Sequence, residues 1–368
     1  MPHSRDFSGS RGSSGSREGQ AEPLRDADGF PVLPPALEDS DPGRGGPDGV
    51  RVEVAVPQLP EGFRAGFACM VGRPNAGKST LTNAMVGTKV AITSGKPQTT
   101  RHNVRAVVHR ANAQLVLVDT PGLHRPRTLL GRRLNDLVRT TLAEVDVIVF
   151  CLPANERTGP GDRFIARELA DLRTPVVAAV TKTDAVSRPD LAARLLAVDA
   201  LGDWAEIVPV SARRGEQVDV LEEVLVSYLP ASPPLYPASE VTDEPETTMI
   251  AELVREAALE GVREELPHSL AVVVDEVVDP ERARQEERDP GHLKGAGRRL
   301  QVRVSLVVER DSQKGIVIGR NGARLKEVGV RARKSVEELL GRKVYLDLHV
   351  RTARDWQSDP KALARLGF

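Results

Sequence analysis

The chain has 368 residues, of which 40% are hydrophobic, and its formal net charge is −1. This length allows two or three domains with cores of their own. The balanced charge excludes a protein that binds nucleic acid or membranes through its overall charge, so any basic surface must come from local clustering of Lys and Arg. Cys69 and Cys151 lie in apolar runs, which excludes a disulfide framework and predicts buried thiols in a reducing cytoplasm.

The first segment, residues 1–62, is rich in Ser, Gly, Pro and charged residues, as in "SRDFSGSRGSSGSREGQ". This composition buries too little apolar surface to offset the entropy of ordering, and it predicts a disordered tail. The chain has neither the apolar core of a signal peptide nor a run approaching the ~20 apolar residues of a membrane span. We therefore expect an unanchored cytoplasmic protein.

Residues 63–230 alternate short apolar runs with amphipathic segments. The strand-like runs include "FACMV", "LVLVD", "DVIVFCL", "VVAAV" and "EIVPV", and the helical segments between them include "TLTNAMVG" and "DRFIARELADL". Strands this apolar are typical of a sheet that helices cover on both faces. The pattern predicts an α/β domain with a mainly parallel sheet.

A phosphate-binding loop is predicted at "GRPNAGKS" (72–79), where a glycine, four residues and Gly-Lys-Ser stand between a strand and a helix. The loop N–H groups and the positive end of the helix can bind phosphate, Lys78 adds a charge, and the Ser79 hydroxyl can reach magnesium. A chance glycine-rich turn is the alternative, against which both flanks argue. The predicted nucleotide contacts here are Gly72, Arg73, Pro74, Asn75, Ala76, Gly77, Lys78, Ser79 and Thr80.

Further polar residues would complete the phosphate site. The run "LVLVDTPG" ends a strand in Asp119, whose carboxylate can reach magnesium, and Gly122 can offer its N–H to a γ-phosphate. The polar segment "SGKPQTTRH" (94–102) can close over the nucleotide, and in it Thr100 is favoured over Thr99 as a magnesium ligand, although each threonine also fits an ordinary surface loop. The predicted metal ligands are Ser79, Thr100 and Asp119.

A base-binding site is predicted where two later strands end, at "TKTD" (181–184) and "SARRG". Asp184 can accept hydrogen bonds from N1–H and the exocyclic amine of guanine together, a donor pair that adenine lacks. Lys182 would lie along the base, and Thr181, Ser211 and Ala212 would line the site. A helix cap formed by Thr181 or Asp184 is the alternative interpretation of this stretch.

A different pattern follows a Pro-rich linker at 231–248. Residues 249–368 read as a helix, two strands near 270–278 and 300–309, two helices separated by a glycine turn, and a final strand. This order predicts a smaller α+β domain, a KH domain of type II, in which two strands precede the turn. The charged insert at 281–299 reads as a solvated hairpin extension.

The glycine turn of this domain has the form Gly-x-x-Gly, which lets a single-stranded backbone approach closely. Between residues 314 and 343 there are nine basic and three acidic residues, a local excess that predicts RNA binding, whereas the alternative is a solvated basic helix. Aromatic residues are scarce here, which predicts contacts to backbone and base edges more than stacking. The predicted RNA contacts are Lys314, Gly319, Arg320, Asn321, Gly322, Arg324 and Lys326.

With "GRPNAGKS", "QTTRH", "DTPG" and the "SA" pair in this order, the chain resembles the bacterial Era GTPases from about residue 64 to its C-terminus. The resemblance implies a Ras-like P-loop GTPase domain joined to a type II KH domain, and binding of GTP or GDP with Mg²⁺. It also implies a monomer that binds the 3′ end of small-subunit ribosomal RNA and assists 16S rRNA processing and assembly of the small ribosomal subunit. Family members associate peripherally with the cytoplasmic face of the inner membrane.

Two positions depart from the usual GTPase pattern. Thr181 stands where most relatives carry asparagine, which predicts a looser nucleotide site that still prefers guanine. Leu123 stands where Ras-type enzymes place the glutamine that orients water. Relatives with this substitution can use a potassium ion held partly by the asparagine of the phosphate loop, here Asn75, whereas His124 fits an exposed loop residue better than a base. The predicted catalytic residues are Lys78, Asn75 and Thr100.

Two other functions compete with a GTP-hydrolysing switch. The chain could be an RNA-binding assembly module whose nucleotide domain is structural, which measurement of GTP turnover would reveal. An ATPase or metabolite kinase is the other alternative, and Asp184 and the "SA" pair argue against it because neither is needed to bind adenine.

Overall fold

The computed structural model describes residues 60–93, 100–123, 126, 128–260, 269–280, 299–366 and 368. Most of the predicted tail, Thr99, His124 and all of the charged insert except Arg299 lie outside the described residues. Within the described residues, no helix is both long enough and apolar enough to cross a bilayer.

The first domain contains a six-stranded sheet in the order β2-β3-β1-β4-β5-β6. Only β2 is antiparallel to its neighbour, so the predicted mainly parallel sheet is confirmed. Every residue of β3 and of β4 is buried, as expected for strands that helices cover on both faces. The strands are β1 (Arg64–Val71), β2 (Val104–His109), β3 (Ala113–Asp119), β4 (Val147–Pro153), β5 (Val176–Thr181) and β6 (Glu206–Pro209).

Helices cover both faces of this sheet and create two cores. Leu81 and Leu221 pack on one face, whereas Phe150 and Ile165 belong to the core of the other face. The loops that follow the carboxyl ends of the parallel strands therefore meet at one edge of the sheet, where nucleotides bind in such folds. The helices are α1 (Lys78–Val86), α2 (Leu129–Glu144), α3 (Pro160–Ala170), α4 (Arg188–Asp199) and α5 (Val218–Ser227).

The predicted linker packs along β2, the antiparallel strand at the sheet edge. The Val107 N–H donates to the Val241 carbonyl at 2.9 Å. The buried Gln114 side chain accepts hydrogen bonds from the Leu235 and Tyr236 N–H groups at 2.6 and 2.9 Å. The bond to Val241 pairs a backbone group that edge strand β2 would otherwise expose, and the Gln114 side chain of β3 holds the linker beside it.

The second domain has the predicted order of elements. In its three-stranded sheet, β7 is antiparallel to β8 and β8 is parallel to β9, with helices packed on one face. Its first helix begins at Glu246, three residues before the predicted boundary. The elements are α6 (Glu246–Leu259), β7 (Ala271–Val278), β8 (Leu300–Val308), α7 (Asp311–Ile318), α8 (Ala323–Leu340), β9 (Val344–Thr352) and α9 (Pro360–Arg365).

Candidate nucleotide and RNA sites

The phosphate loop connects β1 to the N-terminus of α1. Gly77 has φ +95°, a left-handed conformation that favours glycine, and α1 begins at the next residue. The Lys78 ammonium donates to the carbonyls of Gly72 and Arg73 at 3.2 Å each, so the loop is folded around this side chain. Burial lowers the pKa of Lys78, and the nearby Asp119 opposes that shift. The helix end and the ammonium thus offer positive charge to phosphate.

Three oxygen-bearing side chains meet beside this loop. The Ser79 hydroxyl donates to Asp119 Oδ2 at 2.6 Å, and the Thr100 hydroxyl lies 3.2 Å from the same oxygen and 3.1 Å from Ser79 Oγ. Burial raises the pKa of Asp119, whereas Lys78 and the two hydroxyls oppose the shift, and Asp119 Oδ1 is buried without a hydrogen-bond partner among the described residues. Hard oxygen ligands and an unsatisfied buried carboxylate oxygen fit magnesium.

The chain after Asp119 approaches the phosphate loop closely. A Cβ added at Gly122 would lie 2.7 Å from the Pro74 nitrogen, so only glycine fits there. The next residue, Leu123, is 2% exposed and packs in the core that includes Phe150. This side chain fills the core and does not reach toward water.

A pocket of about 300 Å³ opens where β5 and β6 end. Asp184 Oδ1 accepts a hydrogen bond from the Ser211 hydroxyl at 2.7 Å, and this bond is the main cause that lowers the pKa of Asp184. Asp184 is therefore an oriented, ionised acceptor at the pocket wall. The lining residues are Gly77, Thr80, Asn155, Thr181, Lys182, Asp184, Ala185, Ala212 and Arg213.

Thr181 connects this pocket to the phosphate loop. Its buried hydroxyl donates to the Ala76 carbonyl at 2.6 Å. A threonine hydroxyl has one proton, so this bond leaves none to donate to a base. Thr181 therefore connects the two loops, but its hydroxyl has no proton left to donate to a purine.

The glycine turn of the second domain lies between α7 and α8. Gly319 has φ +73°, and a Cβ there would lie 2.6 Å from the Arg324 Cβ, while Gly322 has φ +76° and Asn321 φ +52°. Arg320, Asn321 and Lys326 are exposed. The turn therefore presents backbone and a positive charge to solvent, as a phosphate contact requires.

Comparison with known proteins identifies the family. A model described as a 50S ribosome-binding GTPase matches residues 67–182, and a KH domain model matches residues 293–357. GTPase Era of Streptomyces coelicolor is 63% identical over 311 residues, which are 83% of this chain and 95% of the relative. GTPase Era of Mycolicibacterium smegmatis is 62% identical over 309 residues, 83% of this chain and 99% of the relative.

The chain belongs to the Era GTPase family. Two solved structures of the family match this chain, and each match covers 83% of this chain and 99% of the solved chain. One is Era in complex with MgGDPNP and nucleotides 1506–1542 of 16S ribosomal RNA, at 36% identity and a TM-score of 0.75. The other is a variant of Aquifex aeolicus Era bound to GDP·AlF4−, at 35% identity and a TM-score of 0.76. The predicted GTPase and its two-domain fold are thereby confirmed.

Two residues that line the pocket at the ends of β5 and β6, Asn155 and Arg213, are absent from the predicted base site. Asn155 follows the carboxyl end of buried β4, so a polar residue at a strand end was the available signal.

The Arg73 side chain pairs with Asp162 and Glu156, at 2.6 and 3.0 Å. Any nucleotide contact from Arg73 would therefore come from its backbone.

Arg324, one of the predicted RNA contacts, makes hydrogen bonds within the protein. Its guanidinium donates to the carbonyls of Ala258 and Glu260 at 3.1 and 2.9 Å, which holds the end of α6. The basic excess at 314–343 is also reduced by ion pairs of Arg331, Lys334, Arg342 and Lys343. The basic residues of that range with no ion pair to a residue that the structure describes, apart from Arg324, are Lys314, Arg320, Lys326 and Arg333.

Proposed function

We propose that this Era-family GTPase is a switch whose KH domain binds the 3′ end of small-subunit ribosomal RNA and which assists 16S rRNA processing and subunit assembly. The observation that supports it best is one chain carrying both the oriented Asp184 in a nucleotide pocket and an exposed Gly-x-x-Gly turn. One family member has been solved in complex with MgGDPNP and nucleotides 1506–1542 of 16S ribosomal RNA. We further propose a cytoplasmic monomer that associates peripherally with the membrane, as the resemblance implies.

The residues near the phosphate loop have separate roles in this proposal. Ser79, Thr100 and Asp119 would hold magnesium, and the bound ion would offset the charge that develops on phosphate oxygens. Lys78 and the N-terminus of α1 bind the phosphates. Asp184 selects guanine by accepting two hydrogen bonds from its edge.

Water activation needs help from outside these residues, because Leu123 is buried and carries no polar group. We propose that a potassium ion, held partly by Asn75, adds positive charge beside the phosphates, as an arginine finger does. Asn75 has φ +64° in the phosphate loop, between the Gly72 and Lys78 positions. This hypothesis predicts faster turnover in potassium than in sodium.

The proposal is tested by phosphate release from GTP by the full chain, in potassium and in sodium buffer, with and without an oligonucleotide of the 16S rRNA 3′ end. We expect turnover that is faster in potassium and that changes when the RNA binds. Negligible turnover in every condition, with RNA still bound, would favour the assembly module with a structural nucleotide domain. Equal rates in both salts would remove the role of Asn75.

Guanine selection is tested by Asp184→Asn. The wild type should prefer GTP to ATP and XTP, whereas the variant should gain preference for XTP, because xanthine carries an oxygen where guanine carries its amine. Asp199→Asn makes the same charge change at an exposed position of α4 and should keep the wild-type order. Unchanged preference in Asp184→Asn, measured by nucleotide competition, would contradict this role.

A further inference from the structure

Arg101, the residue after Thr100, is buried in a pocket made by the second domain and the C-terminal segment 353–368. Its side chain is 1% exposed, and Nη1 donates to the Leu270 carbonyl at 2.8 Å. The guanidinium carbon lies 5.7 Å from the ring centre of Trp356 and 5.8 Å from that of Phe368. This is the range in which a cation is attracted to an aromatic ring.

The aromatic side chains around Arg101 are held by contacts of their own. Trp356 is fully buried, stacks on Phe368 at 5.7 Å and donates its indole N–H to the Ser269 carbonyl at 3.1 Å. Burial, and next the charge of Arg255, lower the pKa of Arg101 to about 9, so the guanidinium remains charged at neutral pH. A charge held in such a place needs the carbonyl and the rings as compensation.

Helix α2, which follows Gly122 in the chain, also packs against the C-terminal segment. Leu130 and Leu134 of α2, the helix that follows Gly122, pack in one cluster with Trp356. The Leu130 N–H donates to the Gln357 carbonyl at 3.2 Å, and Arg133 donates to the Phe368 carbonyl at 2.8 Å. Both chain segments that follow predicted phosphate and magnesium contacts are therefore anchored to the C-terminal segment.

A third anchor lies on the other side of Thr100 in the sequence. The Thr93 N–H donates to Glu256 Oε1 of α6 at 2.9 Å, and Lys89 pairs with the same carboxylate. Because consecutive Cα atoms are about 3.8 Å apart, holding Arg101 restricts where the Thr100 hydroxyl can lie. That hydroxyl is 3.2 Å from Asp119.

We propose that Arg101 is a positioning residue for Thr100, and that docking of the C-terminal segment on Arg101 and ligation of magnesium by Thr100 occur together. The inference rests on the proposed magnesium site and makes the position of one of its ligands depend on contacts with the second domain. By linkage, magnesium and the γ-phosphate should strengthen the contact between Arg101 and the rings as much as that contact strengthens magnesium binding. Release of the C-terminal segment would then loosen the metal site.

The first test uses Trp356 as a reporter. In a Trp204→Phe background, Trp356 is the remaining tryptophan, since the chain contains two. We expect at least twofold weaker acrylamide quenching with magnesium and a non-hydrolysable GTP analogue than with magnesium and GDP. Thr100→Ala should abolish this difference and Thr100→Ser should retain it. Identical quenching in both nucleotide states would overturn the proposal, and this readout does not require hydrolysis.

The second test measures the magnesium dependence of GTP hydrolysis in single turnover. We expect Arg101→Met to raise the magnesium concentration for half-maximal rate about tenfold and to lower the maximal single-turnover rate more than it changes the half-saturating nucleotide concentration, with partial rescue in Arg101→Lys. Arg105→Met removes an exposed arginine that pairs with Asp243 and should behave as wild type. A wild-type magnesium dependence in a folded Arg101→Met protein would overturn the proposal.

Phe368→Ala gives an independent variant from the other side of the contact, in case Arg101→Met does not fold. It removes one ring and leaves Trp356 and Leu270 in place. We therefore expect the magnesium concentration for half-maximal rate to rise by a smaller factor, about threefold. No shift in this folded variant would also contradict the proposal. A wild type without turnover, but with a nucleotide-dependent Trp356 signal, would instead refute the proposed hydrolysis and keep the coupling.

Discussion

Thr181 stands where the resemblance to Era GTPases implies an asparagine with two tasks, connecting the phosphate loop to the base loop and donating to the purine. Its hydroxyl reaches the Ala76 carbonyl 105 residues away, so the phosphate loop and the base loop are still connected. The donor to the purine is missing, because the single proton is already used. The proposed guanine selection by Asp184 does not depend on Thr181, because the Ser211 hydroxyl holds the Asp184 carboxylate.

Substitutions at Thr181 should separate these tasks. Thr181→Asn should keep the tie and add a donor to the purine, which tightens GTP binding about fivefold, since a net hydrogen bond contributes about 1 kcal/mol. Thr181→Val should weaken GTP binding about tenfold, because it leaves the Ala76 carbonyl without its donor. Titration with a fluorescent GTP analogue measures both.

Thr181→Ser is the matched control, since it keeps the hydroxyl and should bind nearly as wild type does. Equal affinities of the valine and serine variants would show that the bond to Ala76 contributes nothing. A loss of affinity in Thr181→Asn would mean that the buried site has no room for the amide.

The turn between α7 and α8 illustrates how an element depends on its local backbone. Gly319 and Gly322 both have positive φ, which favours glycine, and the chain turns within these four residues. The neighbouring cations divide into two groups: Arg324 holds the end of α6, whereas Arg320 and Lys326 face solvent. Charge counted along the sequence therefore overstates the charge offered to RNA.

Arg320→Ala should weaken RNA binding severalfold and lower the slope of log K against log salt by about 1, because one phosphate contact is lost. Fluorescence anisotropy with a labelled oligonucleotide at several potassium chloride concentrations measures the slope. Arg167→Ala, an exposed arginine on α3 of the first domain, should leave the slope unchanged. Equal slopes for both variants would remove Arg320 from the interface.

The two cysteines lie in different cores of the first domain, Cys151 on one face of the sheet and Cys69 on the other, so their reactivity reports whether the domain is folded. Cys69 and Cys151 lie on the neighbouring strands β1 and β4 and are completely buried. Burial raises the pKa of both thiols, that of Cys151 to about 12. Both effects suppress the thiolate, which is the reactive form.

We therefore expect no reaction with a thiol reagent at pH 8 in the folded chain, and two thiols reacting after unfolding in guanidinium. Magnesium and GTP should slow the reaction at intermediate denaturant, because a ligand of the native state stabilises it. Cys69→Ala and Cys151→Ala assign each thiol. A rapid reaction of either thiol in native buffer would contradict its burial.

Local motifs could be predicted because neighbouring residues alone determine their geometry. The phosphate loop needs glycines at set spacings before a helix, and the Gly-x-x-Gly turn needs left-handed backbone, so the letters at 72–79 and 319–322 were sufficient. The apolar strands likewise predicted a covered sheet. The family, the fold class and several lining residues of the candidate sites could be predicted from such contiguous patterns.

Distant contacts outside the predicted motifs depended on packing and could not be predicted. Arg101 reaches the Leu270 carbonyl 169 residues away, and Asn155 lines the same pocket as Asp184 because β4 lies beside β1 and β5. No local spacing encodes such neighbours, since the sheet order and domain packing bring them together. The sequence by itself therefore determined which chemical groups the chain carries, whereas the folded arrangement decided which of them, as with Arg324 and Arg101, are already engaged by other parts of the protein.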